Sequence, residues 1–270
     1  MGGRSVSVRL GATACFLLAA AGAVLLPDCS DSGSSNTDDG GSSSGDGGSS
    51  SGAGGSSSGD GGSSSGGTST ADWSESERSG IATYYDADGS GACSFQPSPD
   101  DLNVAALNSE QWSGAAWCGA CADVQGPNGS IRVRIVDLCP ECNAGHLDLS
   151  QQAFAQIAEV SAGRVDITWN FVACTVQGPV RYRFKDGTNQ WWAAILVENH
   201  ALPITSLEWS LDGGSWQQAD RQDYNYFVVS SGLGTGPVSV RITAIDGQQL
   251  EDDLPVVEEY LVVDGRAQFQ

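Results

Sequence analysis

Two Cys-x-x-Cys pairs, Cys118 with Cys121 and Cys139 with Cys142, bracket an alternating run in the stretch CGACADVQGPNGSIRVRIVDLCPECNAGHLDLS from Cys118 to Ser150. Four thiols so close to one strand either share a metal or are oxidised. Their spacing matches a four-thiolate zinc site. Three observations favour disulfides. The chain opens with an export signal. Cys93 and Cys174 raise the thiols beyond that signal to an even six. Residues Ser130 to Asp137 read as a full strand with Ile131, Val133 and Ile135 on one face, unlike a short zinc-ribbon hairpin. No metal is therefore expected, and sequence alone does not choose among the pairings that six cysteines allow.

The export signal consists of a basic start at Arg4 and Arg9 and an apolar run from Leu10 to Leu26, too short and interrupted for a comfortable membrane span. Cys29 stands where a bacterial lipoprotein is cut and lipidated, but Asp28 is a poor residue before such a cut. Lipid anchoring at the cell surface and plain secretion both stand as outcomes. Residues 1–29 are read as this leader. Residues 30–72 are almost entirely Ser, Gly and Asp and offer no apolar side chains to offset ordering entropy, so a disordered tether is expected. For its first 41 residues the typical span is roughly 35 Å.

The remaining segment, 73–270, keeps 10 basic and 26 acidic side chains, a net charge of −16. Such a surface repels nucleic acid and anionic polymers and fits a neutral target better. Its six cysteines all precede Thr175, which divides it into a disulfide-bearing domain at 73–176 and a cysteine-free domain at 177–270. In the first, Ser79–Tyr85, Ala120–Val124, Ile131–Val136 and Val165–Val172 read as strands, while Asp101–Glu110 is short and mixed. One helix is expected near residue 150, with Asp148 or Ser150 as N-cap and Leu149, Phe154, Ile157 and Ala158 on one face. A small β-barrel follows. In the second, Val180–Lys185, Trp192–Val197, Ser206–Ser210, Tyr226–Val229 and Val238–Ile245, separated by Asp-Gly turns, suggest a β-sandwich.

Asp148 is the first chemical candidate. The plainer reading is a helix cap stabilising by about 0.5–2 kcal/mol. Asp137 ends the long strand, Glu141 lies between two cysteines, and His146 would share a face with Asp148 if the residues between are extended. In the second domain, Trp191, Trp192 and Tyr224 offer flat apolar faces suited to sugar rings, with Lys185 and Asn225 as polar neighbours. Adjacent residues in an ideal strand face opposite ways, so both indoles point outward only across a twist or bulge.

The order of motifs resembles a bacterial expansin. Gly80-Ile-Ala-Thr-Tyr-Tyr85, Gly91-Ala-Cys-Ser94, Trp117-Cys-Gly-Ala-Cys121, Val136-Asp-Leu-Cys-Pro140 and His146-Leu-Asp-Leu-Ser150 resemble its double-psi β-barrel domain, which is related to the family 45 endoglucanases. Arg183-Phe-Lys185, Asn189-Gln-Trp-Trp-Ala-Ala-Ile195, Val197-Glu-Asn-His200, Asp223-Tyr-Asn225 and Leu233-Gly-Thr-Gly236 resemble its carbohydrate-binding module of family 63. The resemblance implies a mainly β protein, a six-stranded double-psi barrel followed by an immunoglobulin-like sandwich. It implies Asp148 as the principal groove residue, with Thr83, Asp137, Glu141 and His146 in the same groove. Cys139 stands where relatives can carry a Tyr. Trp191, Trp192, Tyr224 and Lys185 match the cellulose platform. The disulfides implied are Cys93–Cys118 and Cys121–Cys174, leaving Cys139 to pair with Cys142.

The resemblance further implies a secreted, non-hydrolytic loosener of cellulose and plant cell walls that needs no cofactor and acts as a monomer. Inverting hydrolysis needs an acid and a base about 6.5–9.5 Å apart. The base position of the family 45 enzymes falls on Ala87, and Asp86 is one residue early. Cellulose and other wall glucans are the expected partners, with xyloglucan and peptidoglycan as further candidates and no nucleic acid. A family 45-like endoglucanase, a peptidoglycan lytic transglycosylase and a cellulose binder with an inert barrel are the alternative readings.

Overall fold

The chain folds into a closed barrel followed by a two-sheet sandwich, as seen in a computed structural model that describes residues 73, 74 and 76–270. The leader, Cys29 and the tether lie outside the described residues. Six strands close the barrel: β1 (Arg78–Tyr85), β2 (Val104–Asn108), β3 (Cys121–Gly126), β4 (Gly129–Cys139), β5 (Leu147–Ser150) and β6 (Val165–Val172), in the order β1-β5-β2-β4-β3-β6. β1 with β5 and β2 with β4 pair in parallel, and the remaining pairs are antiparallel. This mixture is the double-psi pattern. β2 lies inside the segment that sequence left as mixed. Its five residues, VAALN, are all buried, so it carries none of the polar alternation that marks a half-exposed strand.

Gly126 pairs with Gly129, so Pro127 and Asn128 alone turn β3 into β4. Ile131, Val133 and Ile135 of β4 face the barrel core, alongside Leu107, Leu147, Leu149 and Trp169. Each large side chain that reaches full burial there contributes about 1.5–3 kcal/mol. The alternation of β4 then breaks. Ala105 pairs with Ile135 but Ala106 pairs with Asp137, so Val136 is an extra residue. A strict period of two would send Asp137 inward with Ile135. The bulge reverses the facing and turns it out.

A one-turn helix α1 (Ser109–Trp112) follows β2, and the second helix, α2 (Gln151–Ile157), begins at Ser150, whose Oγ accepts from the Ala153 N–H at 3.0 Å. Its seven residues are too few to hold a helix alone, so burial of Ala153, Phe154 and Ile157 against the barrel keeps it folded. Because Ser150 takes the capping role, Asp148 stays within β5 and its carboxylate is free for other partners. Leu149 likewise belongs to β5 rather than to the helix face.

The sandwich pairs two sheets. One has the order β10 (Gln217–Gln218), β9 (Ile204–Ser210), β13 (Val238–Ala244), β14 (Gln249–Leu254). The other runs β11 (Asp220–Arg221), β12 (Phe227–Val229), β8 (Ala193–Glu198), β7 (Arg181–Phe184), β15 (Val262–Asp264). Tyr182, Phe184, Ile195 and Phe227 of the second sheet meet Leu207, Trp209, Val240 and Ile242 of the first in one core. The outer face of the second sheet is covered too. Ala194, Leu196 and Tyr226 join the barrel's own hydrophobic cluster. Between the domains, Ser94 Oγ donates to Tyr224 O at 2.8 Å and Asn225 Nδ2 donates to Cys93 O at 3.1 Å. Ser94 (φ 60) and Asn225 (φ 72) both hold left-handed backbones, so two unusual turns clasp each other across the junction.

Candidate functional site

The strand register assembles the groove. Thr83 on β1 pairs with Asp148 on β5, Asp148 with Ala106 on β2, and Ala106 with Asp137 on β4. Directly paired residues share a face, so these four form one row across the outside of the barrel. Two carboxylates flank a methyl group, and that small floor leaves an open trough. The bulge at Val136 places Asp137 in this row.

Thr83 Oγ1 donates to Asp148 Oδ1 at 2.5 Å and lies 2.9 Å from His146 Nε2. The single hydroxyl proton is committed to Asp148, so Nε2 must be the donor and His146 carries its proton there. A donor chain runs from His146 through Thr83 to Asp148. Burial pushes the Asp148 carboxyl above its ordinary value. The Thr83 bond and His146 oppose that shift, while Glu141 and Asp137 reinforce it. Burial lowers His146, with Asp148 pulling the other way. The groove therefore holds a carboxyl that takes up a proton more readily than an exposed one, beside an imidazole that gives its proton up more readily.

The loop bearing His146 is tightly fixed. Asn108 Nδ2 donates to His146 O at 3.1 Å, and Trp169 Nε1 donates to Gly145 O at 2.9 Å. A side chain at Gly80 would place its Cβ 1.9 Å from Gly145 O, so β1 needs glycine where this loop crosses it. Glu141 is exposed on the same loop, and its charge acts on both Asp148 and His146. Asp137 is differently occupied. Its Oδ1 accepts from the N–H groups of Ala92 at 2.7 Å and Leu138 at 2.8 Å. Gly91 packs so close that a Cβ there would lie 2.4 Å from the Asp137 carboxyl carbon.

The six thiols form three disulfides, Cys93–Cys118, Cys121–Cys174 and Cys139–Cys142. The last lies at the groove, where Cys139 and Cys142 pack with Ala106 and Tyr85. Sequence reasoning did not single out Tyr85. It sits two residues beyond Thr83 on β1, and its buried hydroxyl has no hydrogen-bond partner among the described residues. Burial first, then Asp137, Asp148 and Asp88, hold that hydroxyl protonated. An aromatic ring thus packs beside the Ala106 floor although Cys139 occupies the position where relatives can carry a Tyr. Asp88 accepts from both the N–H and the hydroxyl of Ser90, as a turn-forming residue does, and Ala87 is buried.

On the sandwich, Trp191 is 73% exposed and Tyr224 40%. The two indoles precede β8 instead of entering it. Asn189 and Trp192 bond each other's backbones, and Asn189 Oδ1 accepts from the Trp191 N–H at 2.9 Å. A tight turn therefore sets the directions of Trp191 and Trp192, and strand alternation does not apply. Trp191 points to solvent, while Trp192 is half-buried and packs on the cluster shared with the barrel. Lys185 lies over the Tyr226 ring at 5.8 Å, and the Tyr224 and Tyr226 rings are 5.9 Å apart. Asn225, expected to be a surface contact, is instead 2% exposed. It accepts from Arg221 Nη2 at 2.6 Å and donates to Cys93 O.

Fold and site together define a two-domain class: a double-psi barrel with an acidic trough, docked on a sandwich that presents aromatic rings. A family model described as lytic transglycolase matches residues 77–169. The Bacillus subtilis (strain 168) protein Expansin-YoaJ is 40% identical over 185 residues, covering 67% of this chain and 79% of that one. The crystal structure of apo Clavibacter michiganensis expansin aligns with TM-score 0.65 at 31% identity, over 72% of this chain and 98% of that one. An aspartate-to-asparagine mutant of the same protein, solved in complex with cellohexaose, aligns with TM-score 0.66 at the same identity and coverage. The chain belongs to the expansin family.

Proposed function

We propose that this protein is an extracellular cellulose-binding expansin that loosens glucan networks without cutting them. The exposed rings of Trp191 and Tyr224, with the edge of Trp192 and the Lys185 ammonium, dock on cellulose. The trough over Ala106 takes a single glucan chain, and Asp148 exchanges hydrogen bonds with its hydroxyls. Slippage between chains then follows from competition for those bonds. A neutral polymer suits the strongly negative surface. The cellohexaose complex of the Clavibacter relative supports a β-1,4-glucan as the ligand class.

The occupancy of the carboxylates carries the non-hydrolytic reading. Asp148 has the environment of a general acid, but a base must also hold a water. Asp137 commits Oδ1 to two backbone N–H groups, and the position expected for the base is the buried Ala87. The test is to stretch cellulosic cell walls under constant load with the protein present, measuring creep and reducing sugar together. Creep without sugar release is expected. Sugar release that disappears in Asp148→Asn would overturn the reading.

The match to the lytic transglycolase model favours one second reading, cleavage of peptidoglycan by the same groove. Release of muropeptides from purified sacculi would establish it.

A further inference from the structure

The barrel covers the outer face of the five-stranded sheet over Ala194, Leu196 and Tyr226, but Tyr260 and Val262 at its β15 edge stay exposed. A cleft of about 340 Å³ opens there. Ser94 and Gln96 of the barrel line one side, and Lys185, Asp186, Tyr226 and Tyr260 of the sandwich line the other. Nothing in the docking or groove chemistry uses Tyr260, yet the fold holds it with care. It is 65% exposed and sits at φ 61, a backbone conformation that is an outlier for a bulky residue. The turn that carries it is tied down on both flanks. The Gly187 N–H donates to Glu259 Oε2 at 3.1 Å, and the Phe184 N–H donates to Leu261 O at 2.9 Å. The neighbouring Asp186 pushes the Tyr260 hydroxyl above its ordinary pKa. A ring carried on a turn fixed in this way loses little backbone freedom when a ligand covers it.

The lining suits a neutral sugar: an exposed aromatic face on Tyr260, the largely buried ring of Tyr226, an amide, and an ammonium that makes no ion pair among the described residues. Asp186 and Glu259 beside it oppose an anion. The cleft is also continuous with the docking surface, since Lys185 belongs to both and the Tyr226 ring lies 5.9 Å from that of Tyr224. It is too small for a sheet of chains and roomy enough for a short substituent.

We propose that this cleft is a branch-accepting subsite, taking the neutral side-chain sugar of a branched β-1,4-glucan whose backbone lies over Trp191 and Tyr224. The inference rests on the docking surface assigned above. Calorimetric titration of the full chain with cellohexaose, and with a β-1,4-glucan of the same backbone length bearing α-linked xylose branches, tests it. The branched ligand should bind roughly tenfold more tightly. Tyr260→Ala should erase that margin and leave cellohexaose binding unchanged, while Tyr260→Phe keeps it, because the ring face makes the contact. Equal affinities of the unaltered protein for the two ligands would overturn the proposal, as would a parallel loss for both in Tyr260→Ala. Trp191→Ala should weaken both ligands. If it weakens neither while Tyr260→Ala still erases the margin, the docking surface is wrongly assigned and the cleft stands.

Discussion

The barrel and the sandwich solve the same problem, presenting polar and aromatic groups to a polymer, by different means. In the barrel the groups come from strands. Thr83, Asp148, Ala106 and Asp137 are aligned by pairing alone, and three disulfides staple the surroundings. In the sandwich the groups come from turns, and no disulfide is present. Trp191 stands out because a turn ends before β8, and Tyr224 is held through the backbone of its neighbour Asn225. The barrel offers a half-buried carboxyl in a trough, where environment tunes chemistry. The sandwich offers exposed faces, where area decides affinity.

The comparison breaks first at the platform. Changing Trp191 and Trp192 together to Ala should lower cellulose affinity by roughly a hundredfold, about 2.7 kcal/mol, read from depletion isotherms. Groove chemistry should be untouched, and unaltered binding would show that the sandwich is not the docking domain. Asp148→Asn should do the reverse, reducing wall creep by at least about tenfold while cellulose binding persists. The melting temperature at neutral pH should hold or rise. The folded pKa of Asp148 is raised, so the folded state binds its proton more tightly than the unfolded chain does. Ionising it as pH rises therefore removes stability, and the amide relieves that burden. Full creep in this variant would identify the barrel as inert.

Two smaller effects sharpen the contrast. Replacing Cys121 and Cys174 with Ser opens a link between residues 53 apart and should destabilise the barrel by about 3–4 kcal/mol in denaturant titration. The sandwich, with no such staple, should keep its own transition. Acid should act at the junction. His200 is buried against Gly119, and its pKa falls to about 4, chiefly through burial, with Arg221 and Arg134 adding to the shift. The unfolded imidazole takes a proton near pH 6.5 and the folded one does not. Stability is complete above that value and is lost as pH falls from about 6.5 to about 4, by at most about 3 kcal/mol. Thermal unfolding at pH 7 and 4.5 should show this loss, and His200→Gln should remove most of it.

Much of this was legible in the chain. Strand β6 runs over the span that periodicity marks, and the Gly-Pro-Asn-Gly turn sits where its residues demand it. The His146-x-Asp148 pattern correctly suggested a shared face. Two things were hidden. β2 is buried on both sides, so neither alternation nor polarity marks it. Tyr85 closes the Gly80–Tyr85 motif, but nothing in that motif marks it as a groove residue, because its place there depends on contacts with Ala106, Cys139 and Cys142 from distant strands. The start of α2 was ambiguous because Asp148 and Ser150 are both good caps. Only the distance from the Ser150 hydroxyl to the Ala153 N–H decides between them.

The extra residue in β4 has a consequence for inheritance and engineering. Deleting Val136 would place Asp137 directly after Ile135, where plain alternation already faces it outward opposite Ala106, so the trough would survive a shorter β4. Straightening the bulge with Val136 retained would instead turn Asp137 inward, with no letter of the sequence lost. The trough is thus set by where β4 carries its irregularity as much as by which residues it contains. Surveys that look only for the presence of the groove carboxylate would not detect its loss.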